Sequence, residues 1–385
     1  MKTGLDAKRI FFNSSGLGNY SRRFYLALAR NFPEDHFNLY TPRPVPAGNP
    51  YLPGIIRENS TVISPANPFD KFFNGSIWRS ARVNRQLVKD GISIYYGLSN
   101  EIPFGIRKSA EVKVVIIHDL IFLRYPELYP AIDVFFYKKK TRYACRNADF
   151  IIAASEQTKR DIIDFYGIPS EKISVIYPGT DSSFYSDRVA DSGEFFKPPK
   201  DYILSIGAIT PRKNLMQAVR ALNAVKNKLD LDLVVVGTAV GLGRNYLEKV
   251  KAYIDKNDLT GRVHFLGNVP YHYLPGLCRK AFALVYPSHF EGFGMPIVEG
   301  LFSRIPVITS QGGCFPEAGG DAAIYINPDD DGEIAAWIEQ LASSSTLRNE
   351  MAEKGARYAE KFRQERIEET ITAFHGKIRS QIQPV

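Results

Sequence analysis

Short runs made almost wholly of apolar residues recur along this chain, and helically spaced stretches follow several of them. Val112–Ile117, Phe150–Ala154, Tyr202–Ile206, Leu233–Val236 and Ala283–Tyr286 are the clearest runs. Arg9–Asn13, Ile92–Tyr96, Val263–Leu266 and Pro306–Thr309 read the same way. A strand that is apolar on both sides needs cover on both faces, which is the condition of a parallel sheet between helical layers. Asn19–Arg30, Glu156–Tyr166, Leu215–Leu229 and Tyr246–Lys256 supply such helices, and Ser155 stands where the second of them needs an N-cap. The alternation predicts an α/β chain of doubly wound parallel sheets. Its 385 residues suggest two or three domains at roughly 150 residues each. Tyr177–Lys200, rich in Pro, Gly, Ser and Asp, interrupts the pattern and reads as an interdomain linker. It separates a first domain, 1–185, from a second, 186–365. Ser345–Ile382 reads as helix.

Hydrophobic residues make up 44% and charged residues 23%, a balance that argues against disordered, collagen-like or coiled-coil chains. No apolar run approaches the ~20 residues that cross a bilayer. The best stretch, Val112–Leu123, is broken by His118-Asp119. The opening MKTGLDAKRIFF has neither the apolar core nor the cleavage site of a signal peptide, so a cytoplasmic location is expected. Cys145, Cys278 and Cys314 are far apart and odd in number, which fits neither a disulfide framework nor a zinc site.

The net charge of +8 lies wholly in the first half: residues 1–185 hold 25 Lys and Arg against 17 Asp and Glu. Two segments concentrate it, Lys71–Lys89, with Arg79, Arg82 and Arg85, and Asp133–Arg146, where three lysines follow an aromatic cluster. Both read as helices with basic faces and aromatic flanks. Such helices can lie on an anionic membrane surface, or they are simply solvated. No nucleic-acid-binding motif accompanies the charge, so nucleic acid is not expected as a partner.

In doubly wound sheets, ligands sit at the carboxyl ends of strands and at helix N-termini, in a cleft that two tandem sheets are expected to enclose. Four loops fall in such places. Asn13–Asn19 carries Gly16 and Gly18, which would let backbone N–H groups approach a phosphate. Ser205–Leu215 carries Arg212 and Lys213 before a helix for which Asn214 is the expected N-cap. Two cations there oppose the helix dipole, a conflict that a bound phosphate would resolve. Pro287–Gly300 holds Glu291 in a Gly-rich loop around Phe293, Gly294 and Met295, with Pro296 suited to a first helical turn and Glu299 just beyond. Glu299 alone could serve the helix dipole. Glu291 needs hydrogen-bond partners such as sugar hydroxyls. Val114–Phe122 ends a buried strand at His118-Asp119.

With these loops, the chain resembles the retaining glycosyltransferases of family 4. The resemblance is carried, in order, by residues 16–24, His118-Asp119, residues 148–162, 173–181, 211–215 and 264–270, the Glu291/Glu299 pair and residues 315–328. It implies the GT-B architecture, two Rossmann-like domains facing a cleft, with the C-terminal helix (about 366–385) crossing back to the first. The first domain would bind acceptor and the second the nucleotide sugar. The resemblance implies that Lys213, with Arg212, binds the donor diphosphate. It implies that Glu291 holds hydroxyls of the transferred sugar and Glu299 the ribose. Backbone N–H groups of Phe293, Gly294 and Met295 would meet sugar and phosphate. Gly16 and Gly18 would close on the diphosphate, and His118 would touch the sugar beside the reacting carbon. One departure stands out. Many members have Arg directly after the Gly of the first strand of the second domain, where this chain has Gly207-Ala208.

Transfer builds positive charge on the sugar ring and negative charge on the leaving diphosphate. Arg212, Lys213 and helix N-termini can supply the positive field, so no metal and no other cofactor is expected. The Asp-x-Asp strings at Asp230–Asp232 and Asp329–Asp331 read as turn and cap chemistry. Retention would follow from same-face attack, the departing phosphate oxygen taking the acceptor proton, with domain closure excluding water. The chain looks most like bacterial O-antigen mannosyltransferases, which implies GDP-mannose and a lipid-linked or saccharide acceptor at the inner face of the cytoplasmic membrane. The alternatives are another nucleotide sugar with a soluble acceptor, a GT-B epimerase, and a non-catalytic GT-B binding partner.

Overall fold

The computed structural model describes residues 1–67, 75–187, 190–198, 200–239, 241 and 243–382. It divides into two units, Met1–Gly179 with Glu365–Val385, and Thr180–Gln364.

The first unit is built on seven parallel strands: β1 (Lys2–Asp6), β2 (His36–Tyr40), β3 (Ser60–Ile63), β4 (Ile94–Gly97), β5 (Val112–Ile117), β6 (Phe150–Ala153) and β7 (Ile173–Val175). Their order across the sheet is β3-β2-β1-β4-β5-β6-β7, so the winding reverses between β1 and β4. The apolar runs are explained by two buried layers. Tyr96, Val114 and Ile116 pack on one side of the sheet with Leu5 and Phe24. Tyr95, Val115 and Ile117 pack on the other with Leu87 and Ile151. Each fully buried aliphatic side chain contributes about 1.5–3 kcal/mol relative to exposure, so both layers stabilise the central strands. Its main helices before the second unit are α1 (Lys8–Phe12), α2 (Gly16–Asn31), α3 (Val83–Asp90), α4 (Ala131–Asn147) and α5 (Glu156–Tyr166). Ser155 caps α5 as expected, its Oγ accepting from the Thr158 N–H at 3.0 Å.

The second unit has six parallel strands: β8 (Asp201–Ile206), β9 (Leu231–Val236), β10 (Val263–Gly267), β11 (Ala283–Tyr286), β12 (Val307–Ser310) and β13 (Ile324–Ile326). Their order is β10-β9-β8-β11-β12-β13, with the reversal between β8 and β11. Its main helices are α6 (Leu215–Val225), α7 (Gly243–Lys256), α8 (Met295–Phe302), α9 (Asp331–Ser343) and α10 (Ser345–Ala359). The last helix, α11 (Gln364–Ile382), returns to the first unit, where Ile367, Ile371 and Ile378 join the core.

Three expectations are corrected. Arg9–Asn13 is not a strand: residues 8–12 form α1, and the strand is the less apolar Lys2–Asp6, paired in register with β2 from Lys2↔His36 to Asp6↔Tyr40. Ile10 and Phe11 are buried as neighbours on a helix, and Arg22 ties the end of the turn by donating to Ile10 O and Asn13 O, both at 2.8 Å. Ser345–Ile382 is not one helix: a turn at Glu360–Phe362 and an extended Arg363 break it where the chain changes unit, and Thr180 N–H donates to Phe362 O at 2.9 Å. The Lys71–Lys89 segment does not present an uninterrupted basic face. Residues 71–74 lie outside the described residues, and Arg79 points inward from a π-helical turn (Trp78–Arg82) onto Asp6 and Glu101.

Candidate active site

The second sheet reverses between β8 and β11, and the loops leaving those strands carry the charged residues. After β8 the chain passes Gly207 (φ 132°) and enters a 3₁₀ turn, Pro211–Lys213. After β11 it enters the loop that holds Ser288 and Glu291. The loops are stitched together by His289 N–H donating to Arg212 O at 2.9 Å. Glu291 is only 9% exposed, and its Oε1 is the common acceptor. Arg212 Nη1, Lys213 Nζ and Ser288 Oγ each lie 2.6 Å from it. Lys213 also donates to the Tyr286 hydroxyl and lies 4.7 Å from that ring's centre. Burial pushes the Glu291 carboxyl upward, but the Lys213 and Arg212 charges overcome it and hold it down at about 2. Burial lowers Lys213, against the pull of Glu291. The cluster is therefore a carboxylate between two fixed cations. A diphosphate entering it would meet a positive field already in place.

Asn214 does not cap α6. It adopts a left-handed conformation (φ 53°, ψ 41°), and its Nδ2 donates to Pro328 O at 2.6 Å. A short polar side chain is among the few that tolerate this conformation. The residue thus anchors the cation-bearing turn to the segment before α9. Gly294 is the N-cap of α8 with φ 104°, a region that disfavours any side chain. Phe293 is buried with its ring 5.3 Å from Phe362, and Met295 opens the helix. Glu299 is buried in the body of α8, where its Oε1 accepts from the Tyr271 hydroxyl at 3.4 Å.

The first unit holds the other predicted residues. His118 follows β5, is 7% exposed, and its Nε2 lies 2.8 Å from Leu98 O. Tyr20 meets the ring edge-on at 5.1 Å. Burial and then the Arg9 charge lower His118 to about 4, against the pull of the Leu98 hydrogen bond, so the imidazole is neutral near pH 7. Nε2 is then the protonated nitrogen, because it faces a carbonyl. A neutral folded-state histidine also stabilises the fold fully above its ordinary value of 6.5, and that contribution fades as pH falls from there through 4. Gly18 is demanded by packing, since a Cβ would sit 2.0 Å from Asn13 O. Its N–H already donates to Asn13 Oδ1 at 3.0 Å. Gly16 faces open space.

The Asp-x-Asp strings are occupied structurally. Asp232 is buried against Arg262 (2.9 Å) and His264 (2.8 Å), and Asp230 pairs with Lys200. Asp330 caps α9 through the Glu333 N–H at 3.0 Å. Among the described residues, no group of three or more His, Cys, Asp or Glu side chains could hold a metal.

Sequence reasoning passed over Ser288, Tyr286 and Tyr271. Ser288, three residues before Glu291 in the same loop, carried a readable signal as a nearby hydroxyl donor. Tyr286 reads as a strand end and Tyr271 carries no motif, and only the tertiary fold brings them to Lys213 and Glu299.

Two family descriptions together match most of the chain: "Glycosyltransferase Family 4" over residues 15–184 and "Glycosyl transferases group 1" over residues 189–358. This protein belongs to the family 4, group 1 glycosyltransferases. Among the relatives of this glycosyltransferase is the O-antigen chain mannosyltransferase B of Escherichia coli, 27% identical over 73% of this chain and 74% of the relative. The O-antigen chain mannosyltransferase RfbU of Salmonella typhimurium is 29% identical over 60% of each chain. Sucrose-phosphate synthase from Thermosynechococcus elongatus superposes with a TM-score of 0.78 at 19% identity, covering 99% of both chains. WaaG, a glycosyltransferase involved in lipopolysaccharide biosynthesis, does so at 0.68 and 18% identity, covering 97% of this chain and 99% of its own. At such identities these structures share the fold with the glycosyltransferase, and the fold is GT-B.

Proposed function

We propose that this glycosyltransferase moves mannose from GDP-mannose, with retention and without a metal, onto a saccharide or lipid-linked acceptor of bacterial surface polysaccharide. The observation that carries the reading is the single Glu291 oxygen held by Arg212, Lys213 and Ser288 at 2.6 Å, at the switch point of the second sheet. The donor diphosphate takes the two cations, which frees Glu291 to accept from hydroxyls of the transferred sugar. Glu299 serves the ribose, and the loop at Phe293, Gly294 and Met295 presents backbone to sugar and phosphate. For the first unit, the family resemblance implies sugar contact by neutral His118 and diphosphate contact by the Gly16–Gly18 turn. The C1–O bond to the diphosphate breaks as the acceptor oxygen bonds to the same face. The acceptor proton passes to the departing phosphate oxygen. The mannose assignment is supported by the mannosyltransferase relatives. HepE of Anabaena, which shares the fold at a TM-score of 0.73 and 18% identity, was solved with UDP-glucose, which makes UDP-sugars the competing donors to screen. GDP-mannose in EDTA is expected to raise the melting temperature of the protein more than UDP-glucose does, because a ligand of the folded state stabilises by mass action. Equal or absent stabilisation would exclude GDP-mannose as the donor.

The acceptor side of the reading includes an anionic bilayer. Helix α4 exposes Ile132 (61%), Phe135 and Phe136 (50%) on one stripe with Lys139, whose ammonium lies 4.2 Å from the Phe135 ring centre. Lys138 is exposed beside them. Among the described residues, no helix is long and apolar enough to cross a membrane, so this stripe would lie on the surface. Binding to phosphatidylglycerol vesicles is expected to weaken several-fold between low and physiological salt and to drop again in a Phe135→Ala/Phe136→Ala variant. Salt-independent binding, or binding unaffected by the double substitution, would remove the bilayer from the account.

A further inference from the structure

The hydrogen-bond ladder between β11 and β12 ends at Tyr286↔Thr309. There β11 stops and its chain leaves the sheet as the loop of Ser288 and Glu291, while β12 runs on to Ser310. Beyond the ladder, side chains take the loop's carbonyls. Thr309 Oγ1 donates to Tyr286 O at 3.0 Å, Ser310 Oγ to Ser288 O at 2.6 Å, and Cys314 Sγ to Glu291 O at 3.2 Å. We propose that Ser310 is a positioning residue for Glu291, acting through Ser288, and that Cys314 steadies the far end of the same loop. The assignment rests on the role given to Glu291 above.

Ser288 is the link because its hydroxyl has one proton and three oxygens within reach. Glu291 Oε1 lies 2.6 Å from its Oγ, Arg212 O 3.2 Å and Phe290 O 3.4 Å. The nearest oxygen is also the charged one, and a charge-assisted bond outweighs a neutral one. That choice holds only while the Ser288 backbone keeps its place, since a small rotation would turn the hydroxyl to either carbonyl. Ser310 fixes that backbone from the next strand. Ser288, Ser310 and Cys314 are all fully buried, so a carbonyl that loses its donor here is left unpaired away from bulk water.

The brace itself is anchored in the sheet. Ser310 pairs with Ile326 of β13, and the Gln311 N–H that follows donates to Ile326 O at 3.0 Å. Gly312 (φ 83°) and Gly313 (φ 56°) then turn the chain so that Cys314 faces back to Glu291. The cations are held by other contacts. Lys213 donates to the Tyr286 hydroxyl, and Asn214 beside it donates to Pro328 O at 2.6 Å. Loss of the Ser310 hydroxyl should therefore disturb the carboxylate and spare the cations, which separates turnover from diphosphate binding.

The test uses the full chain and follows release of GDP from GDP-mannose, with UDP release from UDP-glucose measured alongside. Ser310→Ala and Ser288→Ala are each expected to slow release about tenfold. The double variant should be no slower than Ser288→Ala alone, because both substitutions cut the same link. GDP should stabilise Ser310→Ala against heat at least as much as it stabilises the wild type. In the free protein, amide hydrogen exchange over residues 287–294 should quicken several-fold in Ser310→Ala. Ser310→Cys, which keeps the volume and weakens the donor, supplies the same readings if Ser310→Ala does not fold. Losses that multiply in the double variant, a parallel loss of GDP stabilisation, or unchanged exchange in the loop each overturn the proposal. If the wild type releases neither nucleotide, the transferase reading falls, and the exchange measurement alone decides whether Ser310 holds the Glu291 loop.

Discussion

Glu291→Gln and Lys213→Ala are each expected to lower sugar transfer by about 100- to 1,000-fold, the loss seen when one preorganised charge-stabilising group is removed. The two should differ in binding. On the proposed reading, Lys213→Ala removes a cation from the leaving diphosphate, so affinity for GDP should fall with the rate. Glu291→Gln keeps a side chain of the same shape beside Ser288 but leaves Arg212 and Lys213 without their countercharge. GDP should then stabilise this variant more than it stabilises the wild type, while turnover collapses. That opposition is what the proposed role of Glu291 requires, a carboxylate that competes with the diphosphate in the ground state and grips the sugar in the transition state. Steady-state rates with thermal shifts in GDP check both halves. A Glu291→Gln enzyme that turns over near the normal rate would sink the mechanism. Weakened GDP binding in that variant would show that Glu291 does not compete for the cations.

The largest effect on folding is expected from Arg79→Ala. Arg79 lies buried in the first unit between Asp6, at the end of β1, and Glu101, beyond the end of β4, so its guanidinium spans the switch point. Burial opposes its charge, but Asp6 and Glu101 outweigh that and raise its proton affinity. Truncation leaves two carboxylates facing each other with little water. Breaking a buried pair from one side costs about 3–5 kcal/mol, and this pairing involves two acids. Thermal unfolding should show a markedly lower midpoint for Arg79→Ala than for Arg82→Ala, three residues on in the same π-helical turn. Equal midpoints would mean that water or Lys140 replaces the guanidinium.

The architecture was legible because its signal is repetitive. Runs such as Val112–Ile117 and Ala283–Tyr286 are strands in the structure with the same bounds, since apolar cover on both faces leaves no other pattern. The signal failed where that cover is not written locally. Lys2–Asp6 is a central strand with a lysine, a threonine and an aspartate, and its burial comes from neighbours far along the chain. The IFF of α1 imitated a strand because three consecutive apolar residues carry no periodicity. Arg79 looked like one of three evenly spaced surface cations, and only the fold supplies Asp6, 73 positions away, as its partner. At the candidate site, Glu291, Lys213 and Arg212 announced themselves as charges in Gly- and Pro-marked turns. Their mutual contact could not be read, because it depends on β8 and β11 being neighbours.

The path of the chain sets an order of assembly. The second unit, Thr180–Gln364, is inserted in the sequence of the first, whose core is completed by Ile367, Ile371 and Ile378 of the final helix. On the ribosome, the core of the first unit is therefore completed only after the second unit has been made and Ile367, Ile371 and Ile378 have followed it. The portion made in the middle already has all its strands. A chain cut between the second unit and Ile367 would thus damage the first unit and spare the second.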